Sequence, residues 1–474
     1  MSKKQRLTIR LSMVGVAVAV ATWLTLATPF IQPADLPPHM HPAAPQRCVG
    51  IFLVCMALWF TNLIPLAATG LLAIALLPVL NVLPKDQALG LFGNSAVFFM
   101  LGVFLLAGAM ISTGLSKRIT LVALQRFDRS PTRLVIGVTV SASFMALWMP
   151  EHAVAAMMYP IVMEIVVTLK LKRGSNYAKK LFLGLAWGSI IGGVGTFLGG
   201  ARAPLALSIL HETHPETTIK FLAWMAAAAP MVIVMTTLAV WILCSRIPND
   251  IEDIKAATRM LDRRVRSLGP MSARERRLAL LSVLTIAAWI LFGHKFDLGV
   301  IAMLSATLLF VLRVADWNAV QGFVNWGVLI MYGGAVALGR AVTETRAMEW
   351  VFGHVIDPTM PTLLIVMIMA AAAIVLTEGI SNSAAVAVLL PIGYSVGEMT
   401  GVGPAMMTLA VAIPAGLAFL LPVGSPPNAI SFAAGHYSIR EMVQLGWPLN
   451  VAGLILLFLV IVLWWGPVLN VNAW

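Results

Sequence analysis

Long apolar runs recur along the whole chain and limit most strongly what it can fold into. Residues 11–30, 221–244 and 445–465 are examples, each mostly apolar over about twenty residues. A helix of about 20 residues is long enough to cross the roughly 30 Å hydrocarbon core of a bilayer. The sequence therefore predicts an all-α polytopic membrane protein, for which we count about 11 transmembrane helices.

Composition and charge support this class and exclude others. The 474-residue chain is 59% hydrophobic and 11% charged, more apolar than one soluble core could bury. Its net charge of +12 comes from Lys and Arg in short segments between apolar runs, as the positive-inside rule predicts for cytoplasmic loops. We therefore expect contact with membrane lipid and no nucleic-acid partner. Cys48, Cys55 and Cys244 form no CxxC pair, so no disulfide framework or cysteine metal site is predicted.

The basic start followed by an apolar run has two interpretations. Such an N-terminus is typical of a signal peptide, but the run is of spanning length, so we interpret it as a retained first helix. The expected location is the cell inner membrane, with several passes.

Basic clusters and prolines predict two re-entrant hairpins. The apolar segment near 134–169 is flanked by positive charge at both ends and contains Pro150 and Pro160. It is expected to enter the membrane from the cytoplasm and to return there. The segment near 361–396 is also interrupted by proline and would, by parity, enter from outside. Opposed hairpins of this kind are typical of an inverted-topology repeat.

The repeat predicts four parts of the chain. Each repeat would contain one hairpin followed by a helix broken by glycine or proline, in 181–210 and in 404–435. The parts are an N-terminal helix and outer loop in 1–46, a first repeat in 47–245, a cytoplasmic linker in 246–278 and a second repeat in 279–474.

The two repeats can be aligned residue by residue at their hairpins and broken helices. The aligned sets are Pro150, Glu151 and His152 with Ser381, Asn382 and Ser383, and 199–203 with 424–428. A helix broken at membrane depth leaves backbone groups unsatisfied, so it persists only where it lines a cavity or binds something. The hydroxyl and amide groups of Ser381, Asn382 and Ser383 suit a hard cation and a carboxylate. Interhelical hydrogen bonding would explain this motif alone, but its pairing with the broken helix indicates a site.

These motifs resemble those of the divalent anion/sodium symporters, the INDY-type transporters of dicarboxylates, citrate and sulfate. The likeness covers nearly the whole chain after the first helix and includes 59–65, 102–118 and 428–447. In that family each hairpin tip carries Ser-Asn-Thr, each broken helix carries a Gly-[Ser/Thr]-Pro-Pro-Asn-like loop, and each such pair clamps one sodium ion with the substrate carboxylates between them. The resemblance implies a secondary active transporter of small anions, with di- or tricarboxylates expected, that works by alternating access. It also implies a homodimer without enzymatic activity or organic cofactor.

The resemblance places the second-half site on nearly intact motifs. It implies sodium ligands and substrate-binding residues in the second hairpin and in the loop of the second broken helix. The implied sodium ligands are Thr377, Ser381, Asn382 and Gly424, and the implied substrate-binding residues are Asn382, Ser383, Ser425, Pro426 and Pro427.

The first-half site departs from the family at almost every ligand. Pro150, Glu151 and His152 replace Ser-Asn-Thr, and Ala146 stands where an earlier hydroxyl is expected. In the broken helix, Gly200, Ala201, Arg202 and Ala203 replace the Ser-Pro-Pro-Asn part of the loop. One sodium site is therefore predicted, in the second half.

The ionisable replacements in the first half allow three hypotheses. In the first, Glu151 and Arg202 form a salt bridge that locks hairpin and broken helix together. In the second, Arg202 supplies a fixed charge and a planar donor fork to the substrate anion. In the third, Glu151 or His152 titrates, so that a proton replaces one coupling ion. Glu151, His152 and Arg202 are accordingly added to the predicted substrate-binding residues.

Several functions stay open at this point. Sodium coupling through the second half alone is the leading interpretation, and a sodium-independent anion exchanger or a proton-coupled carrier is the alternative within transport. From other classes, a membrane-embedded enzyme could use Glu151 and His152 as acid and base, and a transport-dead binding protein could keep the site without the flux.

Overall fold

The computed structural model describes residues 3–31, 36–38, 40–353, 357 and 359–466. All regular secondary structure in these ranges is helical, which confirms the all-α class. Ten of the helices described are long and apolar enough to cross a membrane, against about eleven crossings predicted from the sequence. These ten include one arm of the first hairpin and both arms of the second, so the way in which the hairpins enter the bilayer stays a prediction.

The first half of the chain contains eleven α-helices and one short 3-10 turn, Leu91–Gly93. The helices are α1 (Lys3–Leu26), α2 (Ala44–Thr61), α3 (Leu66–Val79), α4 (Lys85–Gly90), α5 (Ser95–Ser112), α6 (Leu115–Gln125), α7 (Pro131–Ala146), α8 (Glu151–Thr168), α9 (Asn176–Val194), α10 (Arg202–Thr213) and α11 (Phe221–Arg246).

The rest of the chain adds eleven more, with 3-10 turns at Gln321–Phe323 and Pro414–Gly416 and a final π-helical turn at Ile461–Trp465. The helices are α12 (Lys255–Ser267), α13 (Ala273–Phe296), α14 (Leu298–Val311), α15 (Trp317–Val320), α16 (Trp326–Thr345), α17 (Ala347–Phe352), α18 (Thr362–Gly379), α19 (Asn382–Thr400), α20 (Pro404–Ala412), α21 (Pro426–Phe432) and α22 (Ile439–Val460).

The order of helices from α2 to α11 is repeated from α13 to α22, and the backbone repeats with it. Left-handed residues, with φ between 47° and 84°, follow corresponding helices in the two halves. The pairs are Asn62 and Asp297, Asn81 and Arg313, Gly114 and Arg346, and Lys170 and Gly401. Because non-glycine residues rarely adopt this conformation, its recurrence at four matched helix ends supports the predicted repeat. The opposite orientation of the two copies in the membrane stays a prediction.

Each half contains a helical hairpin and, after it, a broken helix. The hairpins are α7–α8, with a turn at 147–150, and α18–α19, with a turn at 380–381; they lie beside the predicted segments 134–169 and 361–396. Pro150 precedes α8, and the Ser381 hydroxyl caps α19 by accepting from Ala384 N at 3.2 Å. The breaks separate α9 from α10 and α20 from α21.

Helices of the two halves cross each other at small residues. The α3 helix packs against α16, and α14 packs against α5. A Cβ at Gly102 would lie 2.7 Å from the Ala302 Cβ, and one at Gly70 would lie 2.9 Å from the Met331 Cα. Small residues allow this close approach. The crossings interleave the halves, and α9 reaches both α21 and the Pro414–Gly416 turn.

Between the halves lies an amphipathic helix, α12, that packs on α6 and on the α8 arm of the first hairpin. Arg264 on α12 pairs with Glu164 on α8 at 2.8 Å, and the Gln125 amide donates to Asp262 Oδ1 at 2.6 Å. Helix α13 begins at Ala273, inside the predicted linker 246–278, and the chain turns at Gly269, where φ is +60°.

Candidate functional site

Three of the predicted site residues meet where the two hairpin tips touch. Glu151 and Arg202 are the first residues of α8 and α10. The Arg202 Nη1 lies 3.0 Å from Glu151 Oε2, and Asn382 Nδ2 donates to Glu151 Oε1 at 3.2 Å. The side chains of Arg202 and Glu151 are only 1% and 6% exposed. The predicted Glu151–Arg202 pair is therefore present, and it includes the tip of the other hairpin.

Backbone contacts and glycines hold this pair in place. Glu151 N donates to the Gly199 carbonyl at 2.8 Å, so the first hairpin tip is bonded to the first break. The Arg202 guanidinium lies against Gly200 and Gly416, where any added Cβ would collide with it. Because Gly416 ends the 3-10 turn before the second break, Arg202 lies between the two broken helices.

One nitrogen of the Arg202 guanidinium is available to donate a further hydrogen bond. Its Nη2 is buried and has no hydrogen-bond partner among the residues that the structure describes, and an unsatisfied buried donor of this kind costs about 1–3 kcal/mol. The Tyr332 hydroxyl on α16 is also buried without a hydrogen bond of normal geometry and lies beside Ser383 and Arg202. An anion oxygen would satisfy both groups.

Around Thr377, in the second half, hydrogen-bond acceptors outnumber donors. The Thr377 Oγ1 lies 2.7 Å from Asn382 Oδ1 and 2.7 Å from the Ala415 carbonyl oxygen. A hydroxyl has one proton and can donate to only one of these two acceptors at a time. Further along the second break, the Asn428 Oδ1 is buried without a donor among the described residues, on an amide whose Nδ2 bonds the Ala418 and Leu421 carbonyls. This excess of neutral oxygen acceptors suits a hard monovalent cation.

Of the other two predicted sodium ligands, Gly424 is the one that the structure places against Thr377. Ser381 caps α19 with its hydroxyl. A Cβ at Gly424 would lie 3.1 Å from the Thr377 carbonyl oxygen and 3.2 Å from Glu378 Oε2, so the Gly424 backbone packs against the hairpin. Among the residues that the structure describes, no group of three or more His, Cys, Asp or Glu side chains could hold a metal ion. A cation here would be bound by neutral oxygens.

The remaining predicted substrate residues are placed unequally. The Ser425 hydroxyl caps α21 by accepting from Asn428 N at 3.5 Å, Pro427 is buried and Pro426 is exposed. His152 turns elsewhere: its ring packs edge to face on Phe104, with centroids 6.0 Å apart. It lines a cavity of about 490 Å³ with α5 and the 322–326 segment. Within the described chain it makes no hydrogen bond to the Glu151–Arg202 pair.

Sequence reasoning missed Glu378 and Asn450. The Glu378 carboxylate accepts from three successive backbone amides of the second break, Phe419, Leu420 and Leu421, and from Asn450 Nδ2. An acidic residue inside an apolar run, next to Thr377, is a signal that could have identified Glu378. The Ala415 carbonyl had no such signal because any residue offers that oxygen.

Comparisons with known proteins agree with this architecture. Residues 14–471 match the family described as sodium:sulfate symporter transmembrane region. A sodium-dependent dicarboxylate transporter, SdcS, of Staphylococcus saprophyticus is 30% identical over 460 residues, covering 90% of this chain and 88% of that protein. The SdcS of Staphylococcus aureus is 29% identical over 468 residues, covering 91% and 87%.

A solved structure shares the fold at lower sequence identity. The crystal structure of the Alcanivorax borkumensis YdaH transporter, described as having an unusual topology, superimposes with a TM-score of 0.53 and 15% identity. The match covers 88% of this chain and 99% of the other. At this identity the comparison shows the fold alone.

Proposed function

The chain belongs to the sodium:sulfate symporter family, and on that premise we propose that it moves a small dicarboxylate together with one sodium ion bound in the second half. Like other members of this family, the protein is a multi-pass anion transporter of the inner membrane and not an enzyme. The dicarboxylate substrate and the sodium coupling are drawn from the two SdcS relatives.

The observation that carries the proposal is the separation of unsatisfied donors from unsatisfied acceptors. The free Arg202 Nη2 marks where an anion would bind, and Asn428 Oδ1, with the acceptors around Thr377, marks where a cation would bind. Both are buried, where an unpaired polar group is costly. Binding of an anion and a cation would relieve both costs together.

Asn382 links the two places. Its Nδ2 donates to Glu151 beside Arg202, while its Oδ1 lies 2.7 Å from the Thr377 hydroxyl. A cation that attracts this Oδ1 would orient the amide, and with it the donor on the anion side. In the proposal Asn382 therefore couples sodium binding to substrate binding.

The proposed substrate contacts surround Arg202, and the proposed sodium contacts surround Thr377. The substrate carboxylates would be bound by Arg202, Asn382, Ser383 and Ser425, with Pro426 and Pro427, which have no N–H to donate, shaping the loop beside them. The sodium ion would be bound by oxygens of Thr377, Ser381, Asn382 and Gly424, with the Ala415 carbonyl. Glu151 shares the guanidinium with the substrate and neutralises part of its charge through the 3.0 Å contact.

The Glu151–Arg202 pair also favours a second candidate, sodium-independent exchange. A fixed cation cannot leave the protein with the substrate, so a carrier that uses one needs fewer mobile ions. The two candidates differ in what drives net uptake, and both fit alternating access in a homodimer, which stays a prediction.

The test is uptake into proteoliposomes of purified protein. Radiolabelled succinate, citrate, tartrate and sulfate are offered with a sodium gradient, with choline in place of sodium, and with empty liposomes as the control. We expect succinate uptake that needs sodium and rises with the first power of its concentration. Flux in choline that appears only when the liposomes are loaded with unlabelled succinate selects the exchanger, second-power dependence contradicts a single sodium site, and binding without flux in loaded and unloaded liposomes alike contradicts transport altogether.

A further inference from the structure

The second break is held open by one buried carboxylate. A chain that leaves helical structure at membrane depth must satisfy its backbone groups inside the protein. Between α20 and α21 the amides of Phe419, Leu420 and Leu421 all donate to Glu378, at 2.7 to 3.1 Å. Three successive amides that point to one anion form a concave anion-binding nest. Here the anion belongs to the neighbouring hairpin.

The carbonyl groups of the same loop have separate partners. The Ala415 carbonyl faces the Thr377 hydroxyl at 2.7 Å, and the Asn428 amide donates to the carbonyls of Ala418 and Leu421. The loop is therefore fixed by Thr377 and Glu378 at the end of α18 and by Asn428 on α21.

The packing of α22 adds a second support behind the carboxylate. Asn450 donates to Glu378 Oε1 at 2.7 Å, and a Cβ at Gly446 would collide with the Phe419 carbonyl. The loop therefore lies between Glu378 on one side and α22 on the other. Glu378 is 6% exposed, and its four hydrogen-bond partners within the described structure are all donors, which matches a carboxylate that only accepts.

We propose that Glu378 is the positioning residue of the cation site: it fixes the second break so that the Ala415 carbonyl and Gly424 stay within reach of Thr377. Its position next to Thr377 in the chain makes the hairpin and the loop one unit. The carboxylate also places a negative charge beside the cation. The first half has Leu147 at the aligned position and so lacks this device. The inference rests on the proposed sodium coupling and adds to it a residue that does not itself bind the ion.

The test compares Glu378→Gln with the native protein in sodium titrations of succinate uptake. The Gln amide presents a donor to backbone donors, so at least one of the three loop bonds is lost. We expect the sodium concentration for half-maximal uptake to rise at least tenfold, while maximal uptake at saturating sodium stays within threefold. A change confined to maximal uptake would indicate a general structural role and would overturn the inference. The matched control is Glu164→Gln on the first hairpin, which is expected to leave both values unchanged.

Asn450→Leu provides a second variant if Glu378→Gln does not fold. It removes one donor from the carboxylate and leaves the charge, so about a threefold rise in half-saturating sodium is expected, and an unchanged value overturns the inference. Failure of the proposed function looks different, because the native protein itself would then take up succinate without sodium or not at all.

Discussion

The two broken helices solve the same backbone problem with different chemistry. In the second half, the loop is bonded to Thr377, Glu378 and Asn428, and oxygen acceptors remain in excess. In the first half, Thr196 bonds the Leu147 carbonyl, Glu151 N bonds Gly199, and a guanidinium donor remains in excess.

The comparison teaches that a repeated backbone need not keep a repeated site. The matched left-handed residues show that both halves keep the same helix ends, because each end is set by local geometry. The side chains at the tips are free to change as long as buried groups stay satisfied. Under the proposed function, the first half would have the fixed guanidinium of Arg202, paired with Glu151, where the second half would have a mobile sodium ion.

The largest expected effect is at Arg202, whose loss would remove the positive charge from the first half. For Arg202→Ala we expect succinate affinity to fall about 100-fold, since losing a buried charged partner costs ~2–5 kcal/mol and 1.4 kcal/mol is tenfold. Part of this loss reflects Glu151 left unpaired, so thermal unfolding should also shift downward. Binding is measured by succinate protection in thermal unfolding and flux by uptake.

The double variant Arg202→Ala with Glu151→Gln separates the two causes. Without the unpaired carboxylate, folding stability should recover toward the native value, whereas succinate affinity should not. Native affinity in the double variant would show that the pair is only a structural lock.

In the second half the corresponding change is Thr377→Val, which keeps the shape and removes the hydroxyl. We expect half-saturating sodium to rise about tenfold, equal to 1.4 kcal/mol of lost cation binding, with succinate affinity at saturating sodium little changed. The matched control is Thr139→Val on the first hairpin, whose hydroxyl donates to the Val135 carbonyl of its own helix. If Thr139→Val shifts the sodium dependence as much as Thr377→Val, the two halves do not differ in the proposed way.

A smaller and opposite effect is expected for Glu151→Gln, which removes the charge that neutralises Arg202. Succinate affinity should rise about fivefold, or ~1 kcal/mol, because the guanidinium would no longer be shared with a carboxylate. Uptake should still rise with the first power of the sodium concentration. Competition binding of succinate in detergent measures the affinity, and a loss of affinity would mean that Glu151 is needed to orient the guanidinium.

The sequence predicted most where a residue type is energetically unfavourable at its expected position in a membrane helix. Charged Glu151 and Arg202 inside apolar segments gave a salt bridge as one of three hypotheses, and the structure shows the two side chains 3.0 Å apart. Paired prolines and glycines located both breaks, because they disfavour helix by covalent geometry. The all-α class followed from run length alone.

The remaining features of the site depend on where side chains point and on backbone groups, and residue types do not reveal either. The alignment with Ser383 places His152 at the hairpin tip with Glu151, yet successive residues on a helix point about 100° apart. The Ala415 carbonyl and the three amides that bind Glu378 belong to residues of ordinary apolar type. Their role arises only where the helix stops, so no side chain marks it.

The smallest expected effect is at His152, and it tests whether the first hairpin contributes more than Glu151 to the anion site. Its ring lies on Phe104, and Phe keeps a ring-to-ring contact there. For His152→Phe we therefore expect succinate affinity and its pH dependence to stay within about twofold, or ~0.4 kcal/mol. The matched variant is Ser383→Ala, the aligned position of the second hairpin, which lies beside Tyr332 and should weaken succinate several-fold. A tenfold loss in His152→Phe, or loss of a pH dependence present in the native protein, would place the imidazole in the substrate path. The first half would then contribute a titrating group as well as a fixed charge.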